Sequence, residues 1–258
     1  MKKEGWRGWD EYAPFYDWEN AQTLGRRDVP FWQRVAAAAD GDVLELGCGT
    51  GRITIPLLKH DIDVVGVDRS APMLRRARAR ASRIPNHQSL IPSFVRADIR
   101  HLPFKRARFA MVLAPYGILQ SLIRERDLKD ALASVARVLK RGGTFGIDLV
   151  PDVPKWREYR NKVQLRGRMA GGASVTLVES VRQDPRRHLT TFDQRYIERR
   201  GTRSTTHRFE LTFRTLSIRQ MGARLERAGF SVENVLGDYR GRPWDPRADV
   251  WIILAKKG

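Results

Sequence analysis

The stretch VLELGCGTGR, residues 43–52, determines how the rest of the chain is interpreted. A short apolar run is followed by a turn with glycine at positions 47, 49 and 51, and a helical pattern comes next. Glycines at every second position let a backbone turn sharply and approach a ligand that a Cβ atom would push away. The N-terminus of the next helix offers free N–H groups. The stretch therefore predicts a strand, a ligand-binding turn and a helix.

The sequence after this turn continues to alternate between strand and helix patterns. The apolar runs that predict strands lie at 63–68, 93–97, 109–114 and 144–150, and amphipathic stretches at 71–82 and 127–139 separate some of them. Such alternation is typical of βαβ units and a parallel sheet. We therefore expect residues 41–150 to form an α/β core.

The pattern changes after Pro151, where alternating segments without helical periodicity begin. Breaks at Gly171-Gly172, Asp184-Pro185 and Arg200-Gly201 are typical of turns between antiparallel strands. A final helical segment and two further apolar runs, at 231–239 and 249–257, end the chain.

These patterns together predict an α/β fold with a doubly wound, mostly parallel seven-stranded sheet and an antiparallel β insertion. We expect residues 1–40 to form a helical lid segment and 151–215 to form the insertion, as a substrate lid. Residues 216–258 would then supply a C-terminal helix and strand pair that completes the core sheet.

Composition excludes several classes of protein. Cys48 is the single cysteine among 258 residues, so neither an internal disulfide nor a cysteine zinc cluster can form. The five histidines show no metal-ligand spacing, and no metal site is expected. There is no apolar run long enough to span a membrane and no visible secretory signal, which makes a cytoplasmic location the default expectation.

The chain carries 48 Lys+Arg and 29 Asp+Glu, a formal net charge of +19. This excess invites a nucleic-acid interpretation. It is spread over the whole chain, however, and we favour a solvated basic surface.

Two carboxylates make the glycine turn more informative. Asp68 ends the next predicted strand about 20 residues on, where it can accept hydrogen bonds from ribose hydroxyls, and Asp98 ends the third. An NAD site is the competing hypothesis, but its fingerprint needs glycine where Arg52 stands, and here glycine comes one place early, at Gly51. Glu45 beside the turn suits a ligand with positive charge, such as a sulfonium. We therefore favour S-adenosylmethionine.

The sequence resembles the class I S-adenosylmethionine-dependent methyltransferases. The matching stretches are VLELGCGTGR at 43–52, VVGVDRSAPML at 64–74, FVRADIRHLPF at 94–104, FAMVLAPYGILQSL at 109–122 and VLKRGGTFGIDL at 138–149. The resemblance implies a Rossmann-like methyltransferase fold, S-adenosylmethionine as methyl donor and S-adenosylhomocysteine as product.

The resemblance also implies which residues form the cofactor site. Tyr16 and Tyr116 would also serve as catalytic residues that position the reactants without acid–base work. The expected cofactor-binding residues are Tyr16, Glu45, Gly47, Cys48, Gly49, Thr50, Gly51, Asp68, Arg69, Met73, Ala97, Asp98, Ile99, Ala114, Tyr116 and Gln120.

The acceptor is less closely defined. The insertion is similar to the substrate lid of small-molecule methyltransferases, including sugar N-methyltransferases, so a small molecule methylated on N or O is expected. The loop 114–117 reads APYG and lacks the Asn/Asp-Pro-Pro-Tyr/Phe motif of enzymes that methylate adenine bases or glutamine. An anionic acceptor is one option, because Arg195, Arg203 and Arg208 could receive a carboxylate or phosphate.

Two alternatives and the quaternary state stay open. One is a methyltransferase that acts on RNA or a protein, and the other is a non-catalytic cofactor-binding module. Nucleic acid is not the favoured partner, membrane association is not expected, and a monomer and a homodimer both fit.

Overall fold

The computed structural model describes residues 8–23, 27–84, 93–150, 158–248 and 250–258. The first residues of the predicted lid segment and of the predicted insertion lie outside these ranges.

Helices and strands alternate along the described core as expected. The helices are α1 (Trp9–Gln22), α2 (Val29–Ala37), α3 (Thr54–Leu58), α4 (Ala71–Ala81), α5 (Glu125–Val138) and α6 (Ile218–Arg227). The strands are β1 (Val43–Leu46), β2 (Val64–Asp68), β3 (Ser93–Arg96), β4 (Phe109–Ala114), β5 (Leu139–Leu149), β6 (Tyr159–Arg168), β7 (Ser174–Asp184), β8 (Leu189–Arg200), β9 (Arg203–Arg214), β10 (Phe230–Leu236) and β11 (Trp251–Lys257).

Within the described ranges, seven strands form one sheet in the order β10-β11-β5-β4-β1-β2-β3. Strands β5, β4, β1, β2 and β3 pair in parallel, and β11 is antiparallel to both of its neighbours. The carboxyl ends of the parallel strands therefore meet at one edge. The predicted α/β, mostly parallel seven-stranded sheet is confirmed.

The burial of β1 fits its position in the middle of the five parallel strands. Each residue of Val43–Leu46 is buried, as expected for a strand that helices cover on both faces. On one face Phe109 and Phe145 pack with residues of α5 and α6. On the other, Trp32 of α2 packs with residues of α3.

Strand β5 begins at Leu139, five residues before the predicted start. Phe109 pairs with Leu139 and Met111 with Thr144, so the extra residues form an irregularity beside β4. Gly142 has a φ of 71° there, which accommodates the extra length.

Four strands form the predicted antiparallel insertion, in the order β6-β7-β8-β9. Helix α1 packs against this second sheet through aromatic side chains. The Phe15 and Tyr196 rings stack with centroids 4.5 Å apart, and Tyr12 and Phe209 meet edge to face. The helix and the insertion therefore bury their apolar faces against each other.

Helix α1 is also attached to the glycine turn. The Thr50 hydroxyl donates to Asp17 Oδ1 of α1 at 2.6 Å, and Arg80 Nη1 of α4 donates to the same oxygen at 2.9 Å. These bonds place α1 between the core and the second sheet.

Candidate functional site

The turn after β1 adopts the geometry that its glycines predict. Gly47, Gly49 and Gly51 have φ values of 63°, 55° and 79°, in the left-handed region that favours glycine. A Cβ atom on Gly47 would lie 2.6 Å from the Ile118 side chain, and one on Gly51 would lie 2.8 Å from Ile55 Cδ1. Backbone conformation and packing therefore both exclude residues larger than glycine at these positions.

Asp68, at the end of β2, faces this turn. Its Oδ2 accepts the Gly49 N–H at 2.9 Å, and its Oδ1 accepts the Ser70 N–H at 2.7 Å. Ser70 in turn caps α4 by accepting the Met73 N–H at 3.3 Å. Burial raises the pKa of Asp68, against the effect of these backbone hydrogen bonds. Each carboxylate oxygen has a second lone pair, so Asp68 can still accept from a ligand.

Asp98, after β3, is held by an arginine. Arg100 donates through Nη2 to Asp98 Oδ2 at 2.7 Å and through Nε to Oδ1 at 3.0 Å, and it also reaches Asp127. Partial burial raises the pKa of Asp98, but the Arg100 hydrogen bonds outweigh it and leave the pKa below its usual value. Asp98 is therefore a fixed, ionised acceptor.

A cleft opens at this edge of the sheet, and we call it the glycine-turn cleft. It encloses about 840 Å³, its open mouth included. Ten of the sixteen predicted cofactor residues line it, namely Tyr16, Gly47, Gly49, Asp68, Arg69, Met73, Ala97, Asp98, Ile99 and Tyr116. The lining is completed by residues outside the predicted cofactor set, namely Trp9, Pro115, Ile118, Ser121, Leu122 and Phe213, of which Pro115 and Ile118 lie in the stretch 114–120 that the resemblance places where donor and acceptor meet.

Five predicted contacts lie beneath or beside the cleft rather than on its lining. The buried Glu45 accepts a hydrogen bond from the Thr54 hydroxyl, and burial raises its pKa to about 7. Cys48 is buried against α4, and burial raises the pKa of its thiol. Thr50, Gly51 and Ala114 are likewise buried. Direct cofactor contacts by these five residues stay predictions.

Gln120 lies in a short 3-10 turn, Ile118–Ser121, and connects three segments. Its Nε2 donates to the carbonyls of Val150 and Arg214 at 3.0 and 3.2 Å, and its Oε1 accepts the Val150 N–H at 2.7 Å. The side chain thus joins the loop after β4 to the ends of β5 and β9. Its predicted cofactor contact is untested.

The loop that carries Tyr116 is held in an unusual conformation. Tyr116 has a φ of 59°, which L-residues with large side chains rarely adopt. Asp148 at the end of β5 stabilises the loop by accepting the Gly117 N–H at 2.9 Å and the Tyr239 hydroxyl at 2.9 Å. Burial raises the pKa of Asp148 to about 6.

A second cavity, which we call the insertion cavity, adjoins the glycine-turn cleft. It encloses about 1280 Å³, its opening included, between α1, the loop after β4 and one face of the second sheet. Trp9, Tyr16, Tyr116 and Phe213 line both spaces. The predicted catalytic residues Tyr16 and Tyr116 therefore lie where the two spaces meet.

Polar groups in the insertion cavity come from both sides. Glu19 lies on α1, and the sheet contributes Glu179 of β7 and Gln194 of β8. Sequence analysis identified none of the three. Glu179 does carry a sequence signal, since it interrupts the apolar alternation of Val175, Leu177 and Val181.

Arg52 stabilises the common wall of the two spaces. Its guanidinium bonds to both oxygens of the buried Asp28, at 2.6 and 2.8 Å, and lies 5.1 Å from the centre of the Tyr116 ring. Burial raises the pKa of Tyr16 to about 12, although nearby Arg52 lowers it.

The described part of the chain offers neither a metal-ligand cluster nor a membrane-spanning helix. No group of three His, Cys, Asp or Glu residues there could hold a metal ion. None of the helices described is both long and apolar enough to cross a membrane.

Sequence comparison identifies relatives of known type. Residues 43–143 match the family model described as a methyltransferase domain. The chain is 32% identical over 207 residues to the demethylmenaquinone methyltransferase of Lactiplantibacillus plantarum, across 72% of this chain and 81% of that protein. It is 36% identical over 140 residues to the O-methyltransferase cnsE of Penicillium expansum, across 53% and 48%.

Solved structures share the fold over nearly the full length. The CcbJ methyltransferase from Streptomyces caelestis superposes with a TM-score of 0.79 at 23% identity, across 96% of this chain and 97% of that one. A sugar N-methyltransferase, KedS8 from Streptoalloteichus, gives 0.73 at 20% identity, across 94% and 93%. These relatives, together with the glycine-turn site described above, show that the chain belongs to the S-adenosylmethionine-dependent methyltransferases.

Proposed function

We propose that this enzyme methylates a nitrogen or oxygen atom of a small-molecule acceptor bound in the insertion cavity. The observation that carries the proposal is the wall of Trp9, Tyr16, Tyr116 and Phe213, which borders both the glycine-turn cleft and the insertion cavity. A donor in the first space and an acceptor in the second would meet there.

The residues of the cleft fit S-adenosylmethionine. A Cβ on Gly49 would meet the Tyr16 ring at 3.6 Å, so the glycine leaves a narrow passage beside the turn for the methionine part. Asp68 offers carboxylate oxygens for the ribose hydroxyls, and Asp98 offers an acceptor for the adenine amino group. Met73 and Ile99 give apolar surface for the adenine ring.

When bound, S-adenosylmethionine supplies a methyl group activated by its sulfonium. The protein then has to align the acceptor with that group and exclude water. Tyr16, with a pKa of about 12, stays protonated at neutral pH, so it donates hydrogen bonds and does not act as a base. An amine acceptor that arrives neutral needs no protein base before it attacks, and its proton leaves afterwards to solvent.

We further propose that residues 1–40 and 151–215 cover the acceptor as a lid. Support comes from α1, which is bonded to the glycine turn through Asp17 and packs on β8 and β9 through aromatic rings. A movement of α1 or of the second sheet would displace the residues that border both the glycine-turn cleft and the insertion cavity.

The relatives favour a small acceptor. One relative is named for demethylmenaquinone, and one similar structure is named for a nitrogen atom of a sugar. Demethylmenaquinone and sugars are both small molecules. A cavity between α1 and the second sheet also suits a metabolite better than a folded RNA or protein.

The test uses the full chain and S-adenosylmethionine labelled in its methyl group. A cell extract is divided into metabolites, total RNA and protein, and each fraction is incubated with the enzyme and with the Asp68→Ala variant. We expect label in the metabolite fraction with the native enzyme only. Label confined to RNA or protein would contradict the proposal and support the alternative acceptor class.

A further inference from the structure

The insertion cavity contains two carboxylates on opposite walls. Glu179 is buried on β7, and Glu19 is partly buried on α1. Gln194 bridges them, since its Nε2 donates to Glu179 Oε2 at 2.8 Å and to Glu19 Oε1 at 3.3 Å. The two acidic groups thus lie within reach of a single amide nitrogen.

The described residues that donate hydrogen bonds to these carboxylates are all neutral. Tyr12 and Tyr196 donate to Glu19, and Tyr159 donates to Glu179. No described Lys, Arg or His forms a salt bridge with either carboxylate, although the chain carries a formal net charge of +19. One buried and one partly buried acidic group therefore lie close together without a compensating cation from any described residue, which is costly.

Two hydroxyl groups that line the insertion cavity independently indicate a polar ligand. Thr190 and Thr215 are 4% and 6% exposed and line the insertion cavity. Neither hydroxyl hydrogen-bonds to another described residue, so both can bond to a molecule in the cavity. Their free hydrogen-bonding capacity faces the space that also contains the carboxylates.

The pleat of β8 explains this grouping. Thr190, Phe192 and Gln194 alternate along the strand and therefore share a face. Glu179 lies directly opposite Gln194 in the register of β7 and β8. Arg195 and Arg208, two of the three arginines suggested for an anionic acceptor, are opposite each other on the other face of the sheet.

We propose that the acceptor is a small amine which binds as a cation between Glu19 and Glu179. The ammonium gives its proton to one of these carboxylates, and the neutral nitrogen then forms its bond to the methyl carbon as the bond from that carbon to sulfur breaks. This inference rests on the proposed function, because it assigns a substrate class to the same cavity, and it replaces the expected anionic acceptor. The ammonium group supplies the positive charge that no described residue provides beside these carboxylates. Thr190 and Thr215 hydrogen-bond to polar groups elsewhere on the molecule, and Phe192 and Phe213 contact its carbon skeleton.

Binding measurements on matched pairs of compounds test the proposal. The probes are benzylamine and benzyl alcohol, cyclohexylamine and cyclohexanol, and glucosamine and glucose, each with the full chain saturated with S-adenosylhomocysteine. Ligand-observed NMR titration gives the affinities. We expect amines to bind at least about tenfold more tightly than their alcohols, as a charge-assisted hydrogen bond implies.

Variants identify the groups responsible. Glu19→Gln and Glu179→Gln should each weaken amine binding by about tenfold and leave alcohol binding unchanged. Glu11→Gln, which makes the same change at an exposed position of α1, is the control and should have no effect. S-adenosylhomocysteine affinity reports whether each variant is folded. If Glu19→Gln loses that affinity, Glu179→Gln on the opposite wall provides the test.

Each outcome either supports or overturns the inference of a cationic amine acceptor. Alcohols that bind as tightly as amines, amine binding that survives in the Glu19→Gln/Glu179→Gln double variant, or no amine binding at all would overturn the inference. Incubation of the same pairs with methyl-labelled S-adenosylmethionine separates it from the proposed function. Amines that bind but gain no label contradict the function alone, and alcohols that gain label while amines do not bind contradict the inference alone.

Discussion

Replacing Gly47 by alanine tests whether the glycine turn is fixed by both conformation and packing. Gly47 has a φ of 63°, and left-handed backbone costs an L-residue about 1–2 kcal/mol. The new Cβ would also lie 2.6 Å from Cγ1 and Cδ1 of Ile118, an overlap that costs about 1–3 kcal/mol. We therefore expect Gly47→Ala to lower the free energy of unfolding by about 2–5 kcal/mol.

Two further variants separate these contributions. Gly201 has a φ of 55° in the turn between β8 and β9, and nothing lies within 4 Å of a Cβ built there. Gly201→Ala should therefore lose only the conformational contribution, about 1–2 kcal/mol. Adding Ile118→Ala to Gly47→Ala removes both crowding atoms, so the double variant should be more stable than the sum of the single changes predicts, by about 1–3 kcal/mol.

Urea unfolding of the cofactor-free protein measures these three variants and the Ile118→Ala single variant, and titration with S-adenosylhomocysteine measures the site. Because Ile118 lines the glycine-turn cleft, its displacement in Gly47→Ala should also weaken binding, whereas Gly201→Ala should not. Equal stability losses at the two glycines, or strict additivity with Ile118→Ala, would refute the reasoning.

Three other outcomes are expected. Burial raises the pKa of Glu45 from 4.5 to about 7, so the folded protein holds this proton more tightly and loses stability as the pH rises from about 4.5 to 7. Relative to the Glu45→Gln variant, the free energy of unfolding of the wild type should fall by about 3 kcal/mol across that window, as measured by urea titrations. A difference between the two proteins that stays constant with pH would contradict the assignment. Thr50→Val removes the hydrogen bond to Asp17 and should cost about 1 kcal/mol by thermal unfolding, while the exposed Thr205→Val should be neutral. Tyr16→Phe should lower kcat/KM by roughly tenfold without changing the pH profile between about pH 7 and 9, and loss of an ionisation from that profile would show that Tyr16 acts as a base.

The core fold could be predicted because its signals are local. The glycines at 47–51 impose a turn whatever surrounds them, and Asp68 follows an apolar run that can only be a buried strand. Parallel strands bring their carboxyl ends to one edge, so this turn and this carboxylate had to meet. The alternation of residues in 159–214 likewise predicted hairpins before their partners were known.

The residues that depend on tertiary contacts could not be predicted in the same way. Gln120 bonds to Val150 and to Arg214, which is 94 positions away, and no periodicity reports such a contact. Glu19 is one of several acids on α1, and its place in the insertion cavity follows only from how that helix packs on the second sheet. Glu179 was identifiable in principle, as a charge on the apolar face of β7.

Titration of the full chain with S-adenosylhomocysteine by calorimetry tests the central claim most directly. We predict binding of one molecule per chain, unchanged by excess total RNA and by Asp63→Ala, a control at the exposed residue before β2. Asp68→Ala should weaken it roughly tenfold to a hundredfold, as loss of a hydrogen bond to a charged group implies. Absence of binding, or equal binding by Asp68→Ala, would contradict the account of the glycine-turn cleft as the cofactor site.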